Sequence, residues 1–270
     1  MLGKLLKHEW KATWRYLALL NGATILIALI GKIGLLLKPN LPEFVILLYV
    51  ALYTILLFGA SIVNLVLLSI RFYRNLFTDE GYLTNTLPVT AACKLNVKIL
   101  NCLFWVFINT ICTILSVVLF VTSIAKPSEF QWFLAEWQKL FMELIGTSSQ
   151  FWALFYLLFS SITGTVFLIL MIYFSISIGC AFNSHKVLAS VITFLLTYVV
   201  VQVLSTALMM LAGFHKVLRS MLYLSETLGK HTYLPSYQNV QLWSWIFSLV
   251  ATAIFYFVTR YMMTKKLNLN

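Results

Sequence analysis

Residues 44–70 read FVILLYVALYTILLFGASIVNLVLLSI, and none of them is charged. A helix needs about 20 apolar residues to cross the hydrocarbon of a bilayer, so this run spans with residues to spare, which tilt or extension beyond the hydrocarbon absorbs. The next twenty residues, RFYRNLFTDEGYLTNTLPVT at 71–90, bring two arginines, two acids and a proline. An uncharged run that stops at a basic connection predicts an all-α integral membrane protein.

Outward from this run, five more segments meet the same criterion: about 16–37, 99–124, 150–182, 187–214 and 240–259. Lys32 stands near the end of the first, close enough to snorkel. The run 150–182 is read as one span, because Gly146-Thr147-Ser148-Ser149 suits a helix start and Gly164 alone is a weak break. Composition agrees. Of 270 residues 61% are hydrophobic and 10% charged, where a soluble domain carries about 25% charged; mean hydropathy is +0.92. These values exclude disorder, a disulfide-rich scaffold and a collagen-like repeat.

The formal charge of +11 does not point to nucleic acid. The basic residues sit in short clusters between uncharged runs, a pattern of topology rather than of phosphate tracking. Twelve of the 19 basic residues fall at the two termini and in the second–third and fourth–fifth connections; seven fall in the alternate loops. Both termini are therefore expected in the cytoplasm.

Residues 1–15 place Leu2, Leu5, Leu6, Trp10 and Trp14 on one helical face, with Lys4, Lys7, His8, Lys11 and Arg15 on the other. A basic amphipathic helix with interfacial Trp is expected to lie along the membrane surface. No A-x-A-like site follows the first apolar run, so it is not read as a cleaved leader. Two short outer-face helices are expected as well. One starts at Ser128 with Gln131 completing a capping box, presenting Phe130, Phe133, Leu134, Trp137, Phe141 and Leu144; the other carries Val217, Leu218, Met221, Leu222, Ser225 and Leu228.

No enzyme chemistry is legible. Gly31-Lys32 and Gly229-Lys230 lack the earlier glycine of a phosphate loop, and His8-Glu9 lacks the second histidine of a zinc-peptidase helix, so Glu9 reads as part of a solvated face. Cys93, Cys102, Cys112 and Cys180 show no metal or redox spacing. No catalytic residue, metal ligand or bound cofactor is assigned. No Asp or Glu falls inside a predicted span, which argues against ion-driven transport. The uncharged polar residues within the spans, among them Asn21, Asn64, Asn101, Asn109, Thr113 and Gln202, line a pathway or, more simply, join helices. Ser160-x-x-x-Gly164 and Ser175-x-x-x-Gly179 likewise read as close helix contacts.

In the connection 71–98, Thr78 suits an N-cap, and Asp79 and Glu80 suit the positive end of a short helix. Leu87-Pro88 ends that unit, and Thr90 caps the helix that rises through Lys94 and Lys98. Phe77, Tyr82, Leu83 and Leu87 are expected to be exposed beside the two acids, as a docking knob or as a loop against the membrane.

The stretch Phe72-Tyr73-Arg74-Asn75-Leu76-Phe77-Thr78-Asp79-Glu80-Gly81-Tyr82-Leu83-Thr84, followed by Thr86-Leu87-Pro88-Val89, resembles the first cytoplasmic loop of type-2 ABC transporter permeases of Gram-positive bacteria. Residues 1–13 are similar to that family's elbow helix, and Ser184-His185-Lys186-Val187-Leu188 and Lys265-Lys266-Leu267-Asn268-Leu269 also fit. The resemblance implies a six-span exporter permease in the plasma membrane. It pairs with a second permease and with two copies of a separate ATPase that holds ATP and Mg. It also implies a coupling helix within 72–89 that docks on that ATPase through Phe77, Thr78, Asp79, Glu80, Gly81, Tyr82, Leu83, Leu87 and Pro88. The expected substrate is hydrophobic or amphipathic: an antimicrobial peptide, a drug or a lipid-like molecule. A membrane sensor or anchor that recruits a signalling partner is the alternative.

Overall fold

The computed structural model describes residues 2–37, 42–78, 80–81, 88–124, 127–145, 150–182, 185–211 and 235–265. Among these residues seven helices follow in order: α1 (Leu2–Leu37), α2 (Glu43–Phe77), α3 (Ala91–Ile124), α4 (Pro127–Ile145), α5 (Gln150–Gly179), α6 (Lys186–Leu211) and α7 (Pro235–Lys265). All but α4 are long and apolar enough to cross a membrane. Their outer faces expose large apolar side chains such as Leu19, Phe44, Phe58 and Leu196. Water tolerates little such surface, whereas lipid is its natural solvent.

Several boundaries differ from expectation. Residues 2–15 and the first span form one unbroken helix, α1, so no separate elbow helix exists there. The junction Lys11–Leu20 contains neither Gly nor Pro, and the Thr13 hydroxyl bonds back to the carbonyls of Glu9 and Trp10. The connection expected over 71–98 is also shorter: α2 runs on to Phe77. Arg71 and Arg74 mark the end of a helix rather than the start of a loop. Thr90 does cap α3, its hydroxyl accepting from the Cys93 N–H at 3.3 Å. Helix α4, expected on the outer face, opens on Pro127 instead of after Ser128, a position where proline's missing N–H and fixed φ cost nothing. α5 passes through Gly164 without a break, as one span. The second helix expected on that face, around 217–228, lies outside the described residues.

The chain divides into two compact units, one within Met1–Phe133 and one within Leu134–Asn268. In the first, α1 and α3 pack along their lengths and α2 packs against both. The pairs Thr13–Trp105, Asn21–Asn109 and Thr24–Ser116 ascend together in α1 and α3, so these two helices run parallel. The pairs Tyr53–Ser116 and Asn64–Trp105 ascend in opposite senses, so α2 is antiparallel to α3. An up–down–up arrangement follows, as successive spans require.

The α1–α3 seam carries polar contacts at intervals between apolar ones such as Ala28 against Phe120. Trp105 Nε1 donates to Thr13 Oγ1 at 2.9 Å, and Asn109 Nδ2 to Asn21 Oδ1 at 2.8 Å. Ser116 gives its one proton to the Thr24 carbonyl, 3.2 Å, so Tyr53 must be the donor in its 2.5 Å bond to Ser116 Oγ. On α1 the buried positions Thr13, Leu17, Asn21, Thr24 and Ala28 keep a spacing of three or four residues, one stripe of an α-helix.

In the second unit α5 packs on α6 and on α7. Trp245 meets Tyr156 and Phe159, with ring centroids 4.8 and 4.9 Å apart, and Phe255 meets Phe167 and Phe174 at 5.8 and 4.8 Å. These pairs also ascend together, making α5 and α7 parallel. Gly179 of the Ser175-x-x-x-Gly179 pair is a close contact: a Cβ there would lie 2.4 Å from Ser190 Cα. Gly164 is not, since a Cβ there would meet nothing within 4 Å.

Candidate functional site

The base of the first unit, where α1 begins, α2 ends and α3 begins, gathers charged residues from all three helices. At its centre is Glu9, the only acid in α1. Its Oε1 lies 2.7 Å from Lys98 Nζ and accepts from Asn75 Nδ2 at 3.1 Å, while Oε2 accepts from Arg71 Nε at 3.1 Å. Side-chain exposures of 12% for Glu9 and 8% for Lys98 place the pair out of water. Arg71 and Asn75 reach the same carboxylate because they are four residues apart on one face of α2. Trp10, beside Glu9, stacks on Trp105 with centroids 5.1 Å apart.

The solvated-face reading of Glu9 is therefore corrected. A carboxylate can be buried where cations and N–H donors surround it, and here its partners come from 62 and 66 residues away in the chain. One signal could have found it. Glu9 continues the stripe Thr13–Leu17–Asn21 back by four residues, onto the buried side of α1.

The loop residues expected to dock behave differently from one another. Phe77 is 3% exposed and packs on Phe72, with centroids 5.9 Å apart, so its expected exposure is corrected: it anchors the end of α2. The Thr78 hydroxyl donates backward to the Arg74 carbonyl at 2.6 Å, finishing α2 instead of capping a following helix, while its carbonyl accepts from Gly81 N–H at 2.7 Å. Glu80 is exposed and pairs with Arg74 at 3.0 Å. Gly81 is tightly placed, since a Cβ there would lie 2.6 Å from the Leu76 carbonyl oxygen. Pro88 is exposed. Asp79, Tyr82, Leu83 and Leu87 lie outside the described residues.

Of the intramembrane polar residues, Asn21 and Asn109 bond each other across α1 and α3, which supports the packing reading for that pair. Asn64 Nδ2 reaches the Trp105 carbonyl at 3.4 Å. Asn101 is buried, and its Oδ1 has no hydrogen-bond partner among the described residues. Thr113 is half-buried and Gln202 is exposed on α6, so these two are not brought together with the asparagines. Among the described residues no group of three His, Cys, Asp or Glu converges as a metal site would require.

A groove of about 410 Å³ opens beside the Glu9 cluster between α1 and α2. One end is walled by Leu17, Leu67 and Leu68, the other by Arg71, Arg74 and Glu80.

The fold and this base define a class: an all-helical, multi-pass membrane protein with a charged cluster tying three helices together at one end. Comparison goes no further, for no protein-family model, curated protein or solved structure matches the chain.

Proposed function

We propose that this chain is the permease subunit of an ATP-binding cassette exporter. It works in a bacterial plasma membrane with both termini cytoplasmic, beside a second permease and two copies of a separate ATPase that binds ATP and Mg. The substrate is hydrophobic or amphipathic, such as an antimicrobial peptide, a drug or a lipid-like molecule. The observation that carries the reading is the segment 72–89: its residues resemble the coupling region of that family, and it leaves from the cluster where three helices share the Glu9 carboxylate. Force applied to a loop between α2 and α3 would reach Arg71, Asn75 and Lys98, and through Glu9 the start of α1. Buried Phe77 and tightly turned Gly81 would make the lever stiff.

Reversing Asp79 and Glu80 to Lys tests it. Loss of the exposed Arg74–Glu80 pair costs little, about 0–1 kcal/mol. A like-charge contact in a protein interface costs several kcal/mol. The double reversal should leave insertion intact and abolish co-purification with the ATPase or substrate-stimulated ATP hydrolysis, while reversal of Glu129 and Glu136 in the outer segment does neither. Equal assembly and hydrolysis in both variants would reject the loop as the coupling element. A kinase co-purifying in place of an ATPase would favour the sensor reading. Orientation is tested separately in a variant without native cysteines. Single cysteines at Ser128 and Ser225 should label from outside whole cells, and those at Thr84 and Asn268 should not.

A further inference from the structure

The groove between α1 and α2 has the polarity of a phospholipid laid along it. Going down α2, Leu67 and Leu68 give way after one turn to Arg71 and after another to Arg74. Antiparallel α1 matches this order, Leu17 facing the apolar part and Thr13 the Arg71 level, and exposed Tyr16 stands at the mouth. Cavities of about 300–1,000 Å³ hold small-molecule ligands, and about 410 Å³ suits a headgroup with the first part of its chains.

The charge is complementary to an anion. Arg71 binds Glu9 through Nε, and Arg74 binds Glu80 through one terminal nitrogen. Each guanidinium has five N–H donors, more than these bonds use, and both arginines line the groove. Segments 2–15 and 71–98 together carry eight basic residues against three acids, an excess that attracts anionic lipid. Glu80 stands at the rim and holds Arg74 in place.

We propose that this groove is a site for an anionic glycerophospholipid of the adjoining leaflet. The phosphate bonds the Arg71 and Arg74 guanidinium groups, and an acyl chain lies along the exposed side chains of Leu67 and Ile70, past Tyr16. The site depends on neither the transport reading nor the ATPase.

The test is native mass spectrometry of the full chain, with any subunits that accompany it, after exchange into equimolar phosphatidylglycerol and phosphatidylcholine. The wild type should retain phosphatidylglycerol at least fivefold over phosphatidylcholine. Arg74→Gln should lower that preference at least threefold, and Ala12→Phe, which fills the groove without changing charge, should do the same. Arg260→Gln, on α7, should leave it unchanged. Thermal melting of each variant checks that it is folded, and Arg74→Gln, at an exposed position, carries the test if Ala12→Phe does not fold. Equal retention of the two lipids by the wild type, an undiminished preference in Arg74→Gln, or an equal loss in Arg260→Gln would overturn the site.

Discussion

The two units solve one packing problem with different chemistry. Each sets its first and third long helices parallel, with a middle helix against both; α1 and α3 add side-chain hydrogen bonds to the stacking of Trp10 on Trp105, while among the described residues α5 and α7 meet through rings alone. In the first unit Thr13, Asn21 and Thr24 find partners on α3. In the second, the hydroxyls of Thr163, Ser175 and Ser177 bond back to Phe159, Met171 and Tyr173 of their own helix. The indole nitrogen of Trp245 and the hydroxyl of Thr259 are buried without a hydrogen-bond partner among the described residues. A directional bond between side chains fixes the register of two helices, because a shift of one turn leaves polar groups unpaired in an apolar medium. Ring contacts hold helices together over a broader range of offsets. The first unit is thus built to keep its register, and the second is freer to adjust.

The largest test of this contrast is at the base of the first unit. Glu9→Ala leaves Arg71 and Lys98 without the carboxylate they share, and breaking a buried ion pair from one side costs about 3–5 kcal/mol. Unfolding of the purified protein in mixed micelles should show a loss of that size. Adding Lys98→Met should recover part of it, since fewer unpaired charges remain. A loss below about 1 kcal/mol would mean that water reaches the cluster and screens it like a surface pair.

In the second unit, Phe255→Ala should cost about 3–5 kcal/mol through the cavity it opens. Phe255→Leu should cost less than about 1.5 kcal/mol, because an apolar seam accepts a residue of similar volume. A leucine as costly as alanine would show that the aromatic seam is as specific as the polar one. A smaller effect is expected at the α5–α6 contact. Gly179→Ala forces a methyl group against the Ser190 backbone, and overpacking of this kind costs about 1–3 kcal/mol. A normal melt for that variant would show that α6 moves aside easily.

The spans were legible because a run of uncharged residues is a strong signal that does not depend on distant partners. Their ends were not. The charge of Arg71 and Arg74 suggests a loop, although a helix readily ends in basic residues next to its own carbonyls. The two acids beside Phe77 suggest exposure, but α2 continues far enough to turn it onto Phe72. Glu9 shows the limit most clearly. Sorting the first fifteen residues by polarity places every charge toward water, and only the cations of α2 and α3, brought close by folding, reverse that for one carboxylate. The Asn21–Asn109 pair lies in between: polar residues inside spans suggest helix packing, but which asparagines meet depends on the parallel register of α1 and α3.

That pair gives the smallest expected effect and the most direct probe of the polar seam. Asn21 donates from Nδ2 to the Leu17 carbonyl of its own helix, so only its Oδ1 links it to Asn109. Replacing Asn109 with Leu leaves that oxygen buried and unpaired; replacing Asn21 with Leu leaves the Asn109 amide N–H in the same state; replacing both leaves neither. A double-mutant cycle isolates the bond from the local cost of each substitution. Side-chain hydrogen bonds between helices in membranes couple by about 0.6 kcal/mol on average, with a maximum near 1.7, and this buried 2.8 Å bond should fall in that range. Zero coupling would mean that each amide finds another partner once the other is gone. The register of α1 and α3 would then rest on packing alone, as it does between α5 and α7, and the contrast between the units would reduce to the charged cluster at Glu9.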